Sequence, residues 1–317
     1  MGRPVYLDCD TGIDDSLAIA YLMAHPDVDL VGVGTVFGNI DAHRAARNTL
    51  DLLALGGHGH VPVAIGAEKP LAGAWLGGPA HIHGGNGVGN VELPRGDREP
   101  LSDESAADLL VRLAHEHEGD LRVLAVGPLT NLARALDVET ALPYLVESVV
   151  VMGGAARVPG NVTPVAEANI FNDPEAADRV LSAEWPLTLV PLDVTMEHMI
   201  EEADRESLLA ADVPIPRALG QMLDVYYEFY VGTFGRRCAP LHDPLAAAIT
   251  AGGATPLVAP TVQVVVDSTD GPGRGQTICD LRGERVGYPD QPTAHCRLVL
   301  SLDAPFGPHL VERLTSS

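Results

Sequence analysis

The chain is poor in cysteine, short of basic residues and without long apolar runs, and each shortage excludes something. Cys9, Cys238, Cys279 and Cys296 are scattered over 317 residues and form no Cys-x-x-Cys pair. Four cysteines so spread do not make a disulfide-built scaffold. Only 20 lysines and arginines stand against 43 aspartates and glutamates, a net charge of −23. A chain this acidic repels phosphate backbones, so no nucleic-acid partner is expected. The longest apolar stretches, such as Leu145 to Met152, fall far short of the roughly 20 residues that cross a bilayer, so no membrane partner is expected either. The N-terminus runs straight into a strand-like segment with no apolar signal region, and cytoplasmic location is the expectation.

What is present is enough apolar residue, 46% of the chain, for a substantial core. Short β-branched runs alternate with helical stretches. Strands are predicted at Val5–Asp8, Leu30–Val36, Val61–Ile65, Leu121–Val126, Ser148–Met152 and Leu187–Leu192. Helices are predicted at Asp14–His25, Ala42–Leu55, Ser102–His117 and Thr130–Leu136, with another opening at Asp173-Pro174. For Ser102–His117, Ser102 is the expected N-cap, with Ser105 also available. This alternation is the signature of an α/β fold, a single open, mostly parallel sheet flanked by helices. Residues 67–100 and 153–172 interrupt the rhythm, and irregular stretches of that length are often functional. Residues 200–252 read as mainly helical. Val262–Val266 and Cys296–Leu300 read as late strands, and Pro308 as the opening of a last helix over His309–Leu314. With no repeat and no linker, one domain over 1–317 is expected.

The most informative segment is Asp8-Cys9-Asp10-Thr11-Gly12-Ile13-Asp14-Asp15. Four carboxylates within eight residues, after an apolar strand and at the start of a helix, repel one another unless a cation sits among them. Hard cations take carboxylate oxygens, so calcium or magnesium is the natural partner. Gly12 would let the backbone turn tightly enough for the acids to converge. A helix-dipole preference explains Asp14 and Asp15 but leaves Asp8 and Asp10 unexplained. A phosphatase motif of the Asp-x-Asp-x-Thr kind fails at Gly12.

Residues 8 to 15 match at every specified position the Asp-x-Asp-x-Gly-x-Asp-Asp motif of the inosine-uridine nucleoside hydrolases, and the chain resembles that family. Further blocks follow in order: Val126-Gly-Pro-Leu-Thr-Asn131, Met152-Gly-Gly154 with Asn161, Glu167-Ala-Asn169, Asn172-Asp-Pro-Glu175 and His242-Asp-Pro244. The resemblance covers residues 5 to about 250. It implies a calcium-dependent enzyme that hydrolyses the N-glycosidic bond of ribonucleosides. Asp10, Asp15 and Asp243 would hold the calcium with the backbone carbonyl of Val126. Asp14, Asn39, Asn161, Glu167 and Asn169 would hydrogen-bond the ribose, and Met152 would lie against it. A homodimer or homotetramer is implied as well.

The chemistry has three tasks: making water nucleophilic, stabilising an oxocarbenium-like sugar and neutralising the leaving base. Asp10 is the expected general base. His242, beside Asp243, is the expected acid for the base, since histidine can hold a transferable proton near neutral pH. His83, in a glycine-rich segment, is a second candidate for contact with base or sugar. Tyr226 and Tyr230 are four apart on a predicted helix, so they share a face and could meet the base. Arg236 and Arg237 could close over the site. Ala168 stands where some family members carry an aromatic residue, and no tryptophan lies in residues 225–243. A stacking tryptophan would then have to be Trp75 or Trp185. The expected substrate range is therefore broad, or pyrimidine- and inosine-accepting. The alternatives are a ribohydrolase of the same fold for a modified nucleoside, and a nucleoside-binding protein without catalysis.

Overall fold

A computed structural model of the chain describes residues 2–316. β1 (Arg3–Cys9) sends Val5, Leu7 and Cys9 into one apolar core and Tyr6 into another, one on each face of the sheet. Burial on both faces is what a strand covered by helices on both sides requires. α1 (Ile13–Ala24), β2 (Val28–Thr35), α2 (Ala42–Leu55) and β3 (Val63–Ile65) follow, then β4 (Leu121–Ala125), β5 (Val146–Met152) and β6 (Leu187–Val190). The eight-stranded sheet runs in the order Thr261–Val262, Cys296–Leu298, β6, β5, β4, β1, β2, β3. Its neighbours are parallel except for the first pair. The α/β class read from the sequence is the class found.

The strand order positions the site. From β1 the chain builds outward through β2 and β3, then returns to β1's other side with β4. Where the order reverses in this way, the loops leaving neighbouring strands diverge and open a crevice beyond their carboxyl ends. The acidic segment lies there, at the end of β1. The helix His242–Ala251 packs on α1 and β5, which brings its N-terminus to the same place.

Four local expectations are corrected. Ser105, not Ser102, caps the helix Ala106–Glu116: its hydroxyl accepts from Asp108 N at 3.2 Å, while the Asp108 carboxylate answers in a capping box. Val262–Val266 is two strands. The amide of Gln263 is taken by the Gln291 side chain, so the chain leaves the main sheet there, and Val264–Val266 pairs with Thr277–Cys279 instead. The region 200–252 contains, besides its helices, Cys238–Pro240 paired with Met199–Glu201. Residues 153–172 end in a short helix, Ala168–Asn172. Among the described residues no helix is long and apolar enough to cross a membrane.

Candidate functional site

Gly12 marks the change from strand to helix. Its φ of −92° is open to any residue, so a tight turn is not what demands glycine. Space is: a Cβ there would lie 2.6 Å from both Asn39 Nδ2 and His83 Nδ1. The α1 N-terminus is held by Asp15, whose carboxylate accepts from Gly12 N at 2.7 Å and Asp10 N at 3.2 Å. Asn39, just past β2, ties the neighbouring acids together. Its backbone N–H donates to Asp10 Oδ2 at 2.7 Å, and its Nδ2 reaches Asp10 Oδ1 at 3.2 Å and Asp15 Oδ2 at 3.1 Å.

Asp243 meets this group from the first turn of the helix His242–Ala251. Oxygens of Asp14, Asp15 and Asp243 lie within 4.8 Å of one another, and all three residues are buried. Burial first, and like charge second, pushes the Asp10 and Asp243 carboxyls well above the usual range, and Asp15 up to about 7. Asp14 Oδ1 and Asp243 Oδ2 are buried without a hydrogen-bond partner. Unpartnered buried carboxylate oxygens facing one another are costly, and a hard divalent cation fits this donor set of oxygens. Asp8 lies apart from the cluster: its Oδ2 accepts from Tyr6 Oη at 3.0 Å and Asn131 Nδ2 at 2.9 Å on the side of the sheet's other core, while its Oδ1 is buried without a hydrogen-bond partner.

Of these groups Asp14, Asn39 and Asp243 open onto a cavity of about 650 Å³, lined also by Val126, Met152, Asn161, Glu167 and Asn169, whereas Asp10 and Asp15 are not among its lining residues. Glu167 is buried and caps the helix Ala168–Asn172, accepting from Asn169 N at 2.9 Å and Ile170 N at 3.2 Å, and also from Gly154 N at 3.0 Å. Burial raises its carboxyl to about 7 against the lowering effect of those three bonds. Asn169 Nδ2 donates to the carbonyls of Val126 (2.9 Å) and Met152 (3.1 Å), locking the ends of β4 and β5 together. Asn161 is exposed, and its Oδ1 accepts from Ala168 N at 3.0 Å, a loop-capping bond on the cavity rim.

The other end of the cavity is aromatic. Tyr226 Oη donates to Asp14 Oδ2 at 3.1 Å, and Tyr226 and Tyr230 meet edge to face at 5.0 Å. His83 Nδ1 accepts from Ile13 N at 3.1 Å and lies 3.9 Å from Asp14 Oδ1. His242 is buried, with Nδ1 at 2.8 Å from Thr195 Oγ1 and Nε2 at 3.1 Å from Tyr230 Oη. Burial pushes its ring down to about 4, which favours the neutral imidazole. Phe229, Thr233, Met196, Ile82 and His81 also line this end and were missed in the sequence. Phe229 and Thr233 share the helical spacing of Tyr226 and Tyr230, a signal that could have found them; Met196 carried none.

Arg236, Arg237, Trp75 and Trp185 do not line the cavity. Arg236 pairs with Glu201, and Arg237 with Glu202 and Asp224 while lying over the Tyr227 ring. Arg237 ties the helix Pro214–Phe234 to Glu202, Arg236 follows that helix and is held on Glu201, and neither lines the cavity. Trp185 is buried in the core on Tyr6's side of the sheet, its Nε1 donating to Val180 O, and Trp75 packs on Phe37. A smaller apolar cleft of about 240 Å³, at the far end of α1 beside Leu55 and Pro214, is remote from this chemistry.

Comparison with known proteins agrees with this arrangement. The sequence profile of the inosine-uridine preferring nucleoside hydrolases matches residues 5–306. The chain is 35% identical over 308 residues to a probable uridine nucleosidase 2 of Arabidopsis thaliana, covering 96% of this chain and 94% of the other. It is 36% identical over 249 residues to a pyrimidine-specific ribonucleoside hydrolase of Shewanella sp., covering 78% and 77%. Among solved structures, a plant nucleoside hydrolase superposes with a TM-score of 0.90 at 29% identity over 100% of both chains. A purine-preferring ribonucleoside hydrolase from Gardnerella vaginalis superposes with a TM-score of 0.89 at 32% identity, over 99% of this chain and 98% of that one.

Proposed function

We propose, given that this chain belongs to the inosine-uridine preferring nucleoside hydrolase family and hydrolyses the N-glycosidic bond of ribonucleosides, that Asp10, Asp15, Asp243 and the carbonyl of Val126 hold a calcium ion. The observation that supports a cation here is the convergence of buried Asp14, Asp15 and Asp243 oxygens within 4.8 Å of one another, with Asp14 Oδ1 and Asp243 Oδ2 unpartnered, beside a cavity large enough for a nucleoside; Asp10 adjoins this group through Asn39. When bound, the cation supplies Lewis acidity, making water more acidic and favouring contact with the ribose hydroxyls.

The chain's own residues do the rest. Asp10, held by two hydrogen bonds from Asn39, accepts the proton of the attacking water. Asp14, Asn39, Asn161, Glu167 and Asn169 present donors and acceptors to the sugar, with Met152 packed beside it. The fixed carboxylates stabilise positive charge as the sugar becomes oxocarbenium-like. His242 meets the departing base as its acid partner, with His83, Tyr226 and Tyr230 around it. We read the substrate range as broad, or pyrimidine- and inosine-accepting; no tryptophan lines the cavity among the described residues.

Four cysteines that are all unpaired support a reducing, cytoplasmic compartment. Residues 1–317 would act as one domain, assembled as a homodimer or homotetramer, a state light scattering would establish. The central experiment follows free ribose from inosine, uridine, adenosine and cytidine, with and without a calcium chelator. Release abolished by the chelator and restored by calcium is the expected result. Release indifferent to the chelator would overturn the calcium assignment. No release from any of the four by folded, calcium-loaded protein would point to a modified nucleoside or a binding role.

A further inference from the structure

We propose that Thr195 is a positioning residue that fixes His242 in the tautomer carrying its proton on Nε2. The proposal rests on the reading of His242 as the group that meets the leaving base.

The argument is one of proton accounting. Thr195 ends the short helix Leu192–Thr195 that follows β6. It is fully buried, and its hydroxyl lies 2.8 Å from His242 Nδ1. Among the described residues that hydroxyl has no other hydrogen-bond partner. A buried hydroxyl proton left unmatched is costly, so it belongs on Nδ1. Nδ1 is then an acceptor, and the proton of a neutral imidazole must sit on Nε2. Nε2 faces Tyr230 Oη at 3.1 Å, and Tyr230 lines the cavity whereas Thr195 does not.

The neighbouring bonds agree with this polarity. With Nε2–H donating to Tyr230 Oη, the Tyr230 proton is free to turn toward the adjoining Tyr226. The Tyr226 hydroxyl in turn donates to Asp14 Oδ2, an acceptor only. Protons therefore point from Thr195 toward the carboxylate cluster. The opposite tautomer would leave the Thr195 proton without an acceptor, and would leave Nε2 with a lone pair and no proton to give when the base departs. Negative charge gathers on a base as its bond to ribose breaks, so a lone pair there repels and an N–H attracts. Thr195, outside the cavity, decides which of the two the cavity receives.

The test compares wild type, Thr195→Val and Thr195→Ser on uridine and on p-nitrophenyl riboside, whose phenolate departs without needing a donor. With Thr195→Val, kcat for uridine should fall by about tenfold or more, within what a positioned acid supplies, with KM little changed. The nitrophenyl riboside should be spared, and Thr195→Ser, which keeps the hydroxyl, should retain most of the uridine activity. Nitrogen-15 NMR of the wild-type His242 ring, assigned with His242→Gln, should show Nε2 protonated and Nδ1 bare. Equal losses on both substrates, an unchanged uridine kcat, a serine variant as poor as valine, or a ring protonated on Nδ1 would each overturn the proposal. If Thr195→Val does not fold, the serine variant and the ring spectrum decide. If wild type cleaves neither substrate, the proposed reaction fails, while the spectrum still judges the tautomer.

Discussion

The side-chain amide of Asn39 bridges two carboxylates, its Nδ2 lying 3.2 Å from Asp10 Oδ1 and 3.1 Å from Asp15 Oδ2. It is a neutral donor where two negative groups would otherwise meet unscreened. Asn39→Asp keeps the size and replaces the donor with a third charge. A buried charge left uncompensated costs on the order of 3 kcal/mol, so the metal-free variant should melt well below wild type, and nucleoside hydrolysis should fall at least about a hundredfold. A thermal melt within a degree or two of wild type would show that the bridge does not matter to folding.

Asp243 offers a test of the cation that does not depend on turnover. Asp243→Asn removes one charge from the repelling set, so the metal-free variant should melt at or above metal-free wild type. Added calcium should raise the wild-type melting temperature, since a ligand at about a hundred times its Kd contributes about 2.7 kcal/mol. The variant should lose most of that rise. Calcium titrations followed by calorimetry check both halves, and an equal rise in the two proteins would remove Asp243 from the ligand set.

Glu167 is expected to serve structure and sugar together. Its carboxylate accepts three backbone N–H groups, so Glu167→Ala uncaps the helix Ala168–Asn172 and should cost about 1 kcal/mol, read in denaturant unfolding. Glu167→Gln keeps one acceptor oxygen and should cost less stability while still lowering kcat. Equal stability losses would mean that the capping bonds are not what distinguishes the two.

The contribution of His25 to stability should decline in mild acid. The ring is buried, and its Nδ1 accepts from Asp27 N at 3.3 Å. Burial first, then the positive Arg313, holds its pKa below the usual 6.5. The unfolded chain therefore binds this proton more readily than the folded one. The sign is that stability is fully present above about pH 6.5 and is lost as pH falls below it. Between pH 7.5 and 5.5 the melting temperature of wild type should fall relative to that of His25→Gln; parallel changes would clear this residue.

Much of the acidic cluster was legible because it is written locally. The four acids at 8–15 sit on consecutive backbone whose strand-to-helix change the sequence announces, and β1 to β6 follow from buried β-branched runs between helices. What was not legible depends on contacts distant in sequence. Nothing near Gln263 announces that Gln291 will take its amide and divert the strand. Gly12 was read as a turn residue, while its real constraint is the pressure of Asn39 and His83 from elsewhere in the chain. Arg236 and Arg237 looked free to move because their partners lie on another segment, at Glu201 and Glu202. The histidine at 242 was identified, but the depth of its burial, which sets its charge, was not.

The pairing of α1 with the helix His242–Ala251 joins the beginning of the chain to its last quarter. Contacts between such distant segments form late, because closing a long stretch of chain costs entropy before anything is gained. Here the closing surfaces also carry like charges at their meeting point. Bringing these surfaces together is therefore electrostatically opposed, and a divalent ion in the refolding buffer should accelerate refolding, so the acidic cluster would act as a latch on the finished fold.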